Sequence, residues 1–167
     1  MRSVAPRFTL ALTKASIDAA ELSASRIVDL SRGESFGFLG FDFRRMRSLR
    51  GVWRAHYTPK RKKRTALLRK LKDTFRRHQS QPVGRVVKLI NPVIRGWVNY
   101  FAVGHSSECF SFVKDWVEKK IRSHMQRARN RQGFGWKRWN RRWMYDELSL
   151  FNGYRVVRKT LKAAPTG

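Results

Sequence analysis

Apolar positions change period along this chain, and each change marks an expected element. The first 25 residues are rich in Ala, Ser and Thr with little periodicity, so they are expected to be weakly helical or poorly ordered. Residues 35–43 read as one strand, with Phe36 and Phe38 on one face and Leu39, Phe41 and Phe43 on the other, so both faces call for cover. Residues 44–50 read as a basic loop. A second strand follows at 52–57, with Trp53, Ala55 and Tyr57 pointing one way and Arg54 and His56 the other, closed by Thr58-Pro59. From residue 65 the period becomes helical. Leu68, Leu71 and Phe75 form one stripe, and residues 79–82 break it. The pattern resumes at Val83. Asn91-Pro92 either kinks one helix or caps a new one, and Val93, Ile94, Trp97, Val98 and Phe101 then line a wide apolar face. Gly104 suits a helix stop and Ser106 the next N-cap, with Glu108 in the first turn. Phe110, Val113, Val117, Ile121 and Met125 continue at spacings of 3, 4, 4 and 4. A Trp/Arg-rich stretch, 136–145, precedes a short helix or turn at 146–151. The fold class is therefore mainly α, a helical domain with a small N-terminal β-hairpin.

Charge changes the picture more than length does. The 167 residues hold 38 Lys and Arg against 11 Asp and Glu, a net charge of +27. A chain this basic repels itself when compact, which points to a polyanionic partner. With 41% hydrophobic residues and 13% aromatic, it is a folded protein and not a charged tail. The cations are clustered: residues 44–78 carry fifteen basic side chains and one acid, residues 79–113 three and one, and residues 114–143 eleven and two. Two basic blocks thus bracket an apolar centre.

Most other chemistries lack their residues. The single Cys109 excludes an internal disulfide and a cysteine-built zinc site. The histidines His56, His78, His105 and His124 make no short ligand pair, and His105 and His124 read as ordinary helix-end or surface residues. Asp146-Glu147 is the only adjacent acidic pair, and neighbours on a helix diverge by about 100°. No P-loop, nucleophile elbow or His-Glu-x-x-His pattern is present, so no catalytic site is expected in this chain. No apolar run is long enough to span a bilayer, and the start of the chain is a poor signal peptide, so a reducing, cytoplasmic setting is expected. No small-molecule substrate is evident.

Basic side chains interleaved with aromatics suit nucleic acid: cations neutralise phosphates, and aromatic faces stack on unpaired bases. The tetrad Arg61, Lys62, Lys63 and Arg64 is expected in a flexible loop that follows an RNA backbone. Arg69, Arg76 and Arg77 extend that block, and Arg138, Arg141 and Arg142 are candidate phosphate contacts in the second. Arg95 and Asn99 form an i, i+4 pair off the apolar stripe, able either to cap neighbouring backbone or to reach RNA. Gly96 is expected to permit close helix packing. Trp136, Trp139 and Trp143, spaced 3 and 4, are read as core, and Trp116 and Tyr145 as structural.

At Asn91-Pro92-Val93-Ile94-Arg95-Gly96-Trp97-Val98-Asn99-Tyr100-Phe101 the sequence closely resembles the maturase-specific region, domain X, of group II intron-encoded reverse transcriptase/maturases. Phe38-Leu39-Gly40-Phe41 resembles that family's short element at the end of the palm, before the thumb. Phe112, Trp116 and Ile121, then Trp136-Lys137-Arg138-Trp139, then residues 150–158 around Gly153-Tyr154, follow in the expected order. The resemblance covers roughly residues 26–158. It implies an end-of-palm remnant with the hairpin at 26–60 and a helical thumb/maturase domain at 61–158, flanked by the poorly ordered or weakly helical segment at 1–25 and an expected disordered tail at 159–167. It implies an RNA-binding role in group II intron folding and splicing, within a prokaryotic or organellar ribonucleoprotein. The RNA itself, with magnesium, performs the transesterifications, so no cofactor is expected on this chain. The family's polymerase motif, Tyr-x-Asp-Asp, is missing, so copying RNA into DNA does not carry over. The alternative is the C-terminal part of a split or decayed RNA-directed DNA polymerase, completed by a separate palm polypeptide.

Overall fold

A computed structural model describes residues 34–128, 135 and 137–157. The expectations for residues 1–25, Trp136 and the tail at 159–167 lie outside the described residues. Three strands come first: β1 (Ser35–Phe38), β2 (Phe41–Arg47) and β3 (Trp53–Pro59), antiparallel in the order β1-β2-β3. Helices follow: α1 (Arg61–Arg77), α2 (Val83–Tyr100), α3 (Ser107–Ala128) and the short α4 (Arg141–Asp146). The mainly α class with a small N-terminal antiparallel sheet is as the periodicity predicts. The short helix, however, spans residues 141–146, ahead of the expected 146–151. Asn140 sets its start by accepting a bond from the Trp143 amide at 2.8 Å.

Residues 35–43 are not one strand. They fold back at Leu39-Gly40, where φ is +46° and +80°. Two positive φ values suit a two-residue turn whose twist matches the strands. The Leu39 carbonyl accepts from the Tyr100 hydroxyl at 3.0 Å, and the Gly40 carbonyl from the Lys60 amide at 2.8 Å, so the helical layer holds a bulky residue in an unfavourable conformation. The fold-back pairs Phe36 with Phe43 and Phe38 with Phe41. All four rings then share one face, where the continuous strand would have split them. Phe36 stacks on Phe43 at 4.9 Å, Phe43 on Tyr57 at 5.3 Å, and Phe41 meets Phe101 of the helical layer at 5.0 Å. The expected basic loop is also corrected: Arg44, Arg45 and Arg47 belong to β2.

Three helices close around one core. α1 supplies Leu67, Leu71 and Phe75, with Leu68 only half-buried, so the stripe is turned slightly from the expected one. α2 supplies Val83, Val86, Val87, Ile90, Ile94 and Val98, and α3 the predicted series from Phe110 to Met125. α2 runs through Pro92 without a break. Proline removes the donor for the Lys88 carbonyl, but Lys88 and Pro92 are both exposed, so water can serve it. Asn91 caps nothing. Its amide donates to the Ser149 carbonyl at 2.9 Å and accepts from the Phe151 amide at 3.0 Å. It thereby clamps the C-terminal segment where Ser149 takes φ +51°.

One buried carboxylate of α3 holds α4 in place. Glu118 is 1% exposed. It accepts from the Tyr145 hydroxyl at 2.7 Å and Arg141 Nε at 2.9 Å, with Arg122 at 3.6 Å. Arg122, also buried, donates Nε to the Trp139 carbonyl at 3.0 Å. Burial holds the Arg122 guanidinium below its ordinary range, with Glu118 opposing, and burial together with the Glu118 bond raises Tyr145.

Candidate nucleic-acid interface

The tetrad is not a loop. Arg61, Lys62, Lys63 and Arg64 form the first turn of α1, with Lys60 at the N-cap and no acid in that turn. Helix N-termini carry partial positive charge, so each cation there costs stability, typically ~0.3–1 kcal/mol. Arg61, Lys62 and Lys63 are exposed. Arg64 is half-buried and lies 4.3 Å over the Phe112 ring; burial raises the Cys109 thiol's pKa, and the Arg64 charge opposes that rise. It is held by the fold, unlike its three neighbours.

One residue advances a helix by about 100°, so α1 presents different cations to two separate grooves. Lys63 and Lys70 face α2 and border a cavity of about 550 Å³ with Val93, Gly96, Trp97 and Tyr100. Gly96 does not mediate close packing: a Cβ there would meet nothing within 4 Å. On the other side, Arg76 and Arg77 join Arg127 of α3 around a cavity of about 430 Å³. A contiguous one of about 210 Å³ adds Lys72 and Lys120, with Phe75 and His124 at its wall. Five cations and no carboxylate line this pair of cavities. His124 is not a surface residue: it is 5% exposed and its Nε2 lies 3.0 Å from the Gln81 carbonyl.

The remaining predicted residues lie elsewhere. Arg69 is exposed on the outer face of α1. Arg95 is exposed on α2, 5.8 Å over Phe151, and Asn99 is exposed beside it. Arg138 is exposed. Arg141 is engaged by Glu118 at 2.9 Å and by Asp115 at 2.7 Å, which hold its guanidinium above the ordinary range, and Arg142 pairs with Asp146 at 3.3 Å. On α3, Glu118 and Lys120 point about 200° apart, so this second basic group does not share the α1–α3 groove. Trp139 is 4% exposed and joins the core, as does half-buried Trp143.

Sequence reasoning missed Lys72, Lys120 and Arg127 as site residues. Spacing carried a signal: Lys72 precedes Arg76 by one helical turn, and Lys120, Ser123 and Arg127 recur at 3 and 4 on the side of α3 away from Glu118. What spacing could not supply was the packing of that side against α1.

These features define a helical, strongly basic domain whose grooves favour a polyanion. A comparison with family models matches residues 64–145 to the group II intron, maturase-specific domain. Those residues run from the first turn of α1 into α4, and the match supports a group II intron maturase-type role. Comparison with curated proteins finds no match. Among the described residues, no helix is long and apolar enough to cross a membrane.

Proposed function

We propose that this protein binds folded group II intron RNA through phosphate contacts and assists the intron's folding and splicing. The observation that carries this reading is the α1–α3 groove, where Lys72, Arg76, Arg77, Lys120 and Arg127 converge without a carboxylate on a maturase-specific domain. Such convergence is self-repelling until a polyanion enters, and each phosphate bound there releases counterions. Arg61, Lys62, Lys63, Arg69, Arg95 and Arg138 broaden the positive surface, and Asn99 offers a neutral hydrogen-bonding group. Arg141 and Arg142 contribute field more than direct contact, because carboxylates already hold them. Arg64 stands behind the surface. The chemistry belongs to the RNA and its magnesium; the protein stabilises the fold in which that chemistry runs.

The test measures binding to the intron RNA against salt. With about five phosphates neutralised, log K should fall with log salt at a slope near −3.5 to −4.5. Replacing Arg76 and Arg127 by Gln should flatten that slope by about 2 and should abolish rescue of splicing at low magnesium. An unchanged slope in the double variant would overturn the groove assignment.

A further inference from the structure

The β2–β3 ribbon carries a second basic surface that the maturase-specific domain does not include. Between Asp42 and Asp73 the chain has no acid. The ribbon presents Arg44, Arg45, Arg47, Arg50 and Arg54, all exposed, and none pairs with a carboxylate among the described residues. The strand register places Arg45 and Arg47 on the sheet face that carries Trp53 and Ala55, and Arg44 and Arg54 on the opposite face.

The tip is ordered by its own bonds. The Ser48 hydroxyl accepts from the Val52 amide at 3.2 Å, the Ser48 carbonyl accepts from the Gly51 amide at 2.8 Å, and Arg47 donates to the Gly51 carbonyl at 3.0 Å. This turn holds Leu49 fully in solvent and leaves Met46, Val52 and Trp53 at 41%, 53% and 54% exposure. The Arg45 guanidinium lies over the Trp53 ring, 4.8 Å from its centroid. An indole backed by a cation and surrounded by arginines is a stacking platform with phosphate donors beside it.

We infer that the ribbon tip is a binding site for unpaired RNA, with a base stacked on Trp53 and the flanking phosphates held by Arg45, Arg47 and Arg50. Charge selects a polyanion, and the aromatic ring selects exposed bases over a duplex, whose bases already stack on one another. The site stands apart from the α1–α3 groove and lies outside residues 64–145, so its test can be read separately from that groove.

The experiment uses the full chain and three probes: an unstructured oligouridine of roughly 12 nucleotides, an RNA duplex of the same length, and vesicles of phosphatidylserine and phosphatidylcholine. Trp53→Ala should weaken oligouridine binding at least about fivefold, with a much smaller change on the duplex. Trp53→Phe should regain most of the loss, which a merely structural role for the indole would not produce. Arg76→Gln with Arg127→Gln should weaken duplex binding while the Trp53 effect on oligouridine persists. The inference fails if Trp53→Phe is as damaging as Trp53→Ala. It fails equally if both RNAs weaken together, or if the protein prefers the vesicles and loses them on Trp53→Ala.

Discussion

Glu118 is the position where the smallest change should move the fold most. Glu118→Ala removes the acceptor shared by Tyr145, Arg141 and Arg122. The arm to Arg141 contributes little, because that guanidinium is 60% exposed and an exposed pair adds at most ~1 kcal/mol. The arm to Arg122 decides the outcome. Arg122 is 3% exposed, and breaking a buried pair by removing one partner costs ~3–5 kcal/mol. For a chain of this size 1 kcal/mol moves Tm by ~2–4 °C, so the variant should melt roughly 6–20 °C lower. Helical circular dichroism against temperature, with urea titration beside it, measures this. Tyr145→Phe alone should cost ~1.5–3 kcal/mol, since its hydroxyl meets an ionised acceptor. In the Glu118→Ala background the same change should cost much less, because the acceptor is gone. A loss below ~1 kcal/mol for Glu118→Ala, or a Tyr145→Phe cost that is the same in both backgrounds, would refute the view that this carboxylate pins α4 to α3.

Gly96→Ala should stabilise the protein by ~0.5–1 kcal/mol, because the position is inside α2 and an added methyl meets open space; a fall in Tm would place a packing partner there. Stability should also fall in acid through His56. Burial, then His105, stacked at 4.1 Å, then Arg44 lower its pKa from 6.5, so the unfolded chain takes the proton first. The contribution is complete above about pH 6.5 and is lost as pH falls through the folded value. His56→Gln should flatten the stability profile below pH 6.5, and an unchanged profile would show that the histidine pair does not contribute.

The helical layer was legible because its apolar spacing is set by the same face that becomes buried. The series from Phe110 to Met125 reads directly off the chain, and all five residues are core. The sheet was harder. A Leu-Gly pair lacks the side-chain chemistry that marks a hairpin turn, and the bonds that hold it come from Tyr100 and Lys60, distant in sequence or across a strand. Asn91 misled for a similar reason. Asn before Pro has the local form of a helix cap, yet both of its partners lie about sixty residues away. Buried polar groups were the least visible: Glu118 and His124 look like helix-surface residues until the elements that cover them are placed. The basic site was legible as composition and only partly as geometry. α1 was recognisable as cationic, but the cations of α3 that face it lie on a polar side whose partner spacing alone could not identify.

The two ends of α1 separate the structural from the functional share of that charge. At the C-terminal end, Arg76 and Arg77 sit where the helix dipole welcomes cations, as does Arg127 at the end of α3. Fold stability alone would account for them. Lys72 and Lys120 lie a turn or more before those ends, where the dipole gives them little, and they face the same groove as the favoured arginines. At the N-terminal end the dipole opposes Arg61, Lys62 and Lys63, no acid offsets them, and the N-cap contributes no side-chain bond. A helix built for stability alone would carry Asp or Glu there. Local rules broken without local compensation mark positions where another requirement dominates. A phosphate backbone lying along α1 from its first turn to the α3 groove would meet that requirement at both ends with one ligand.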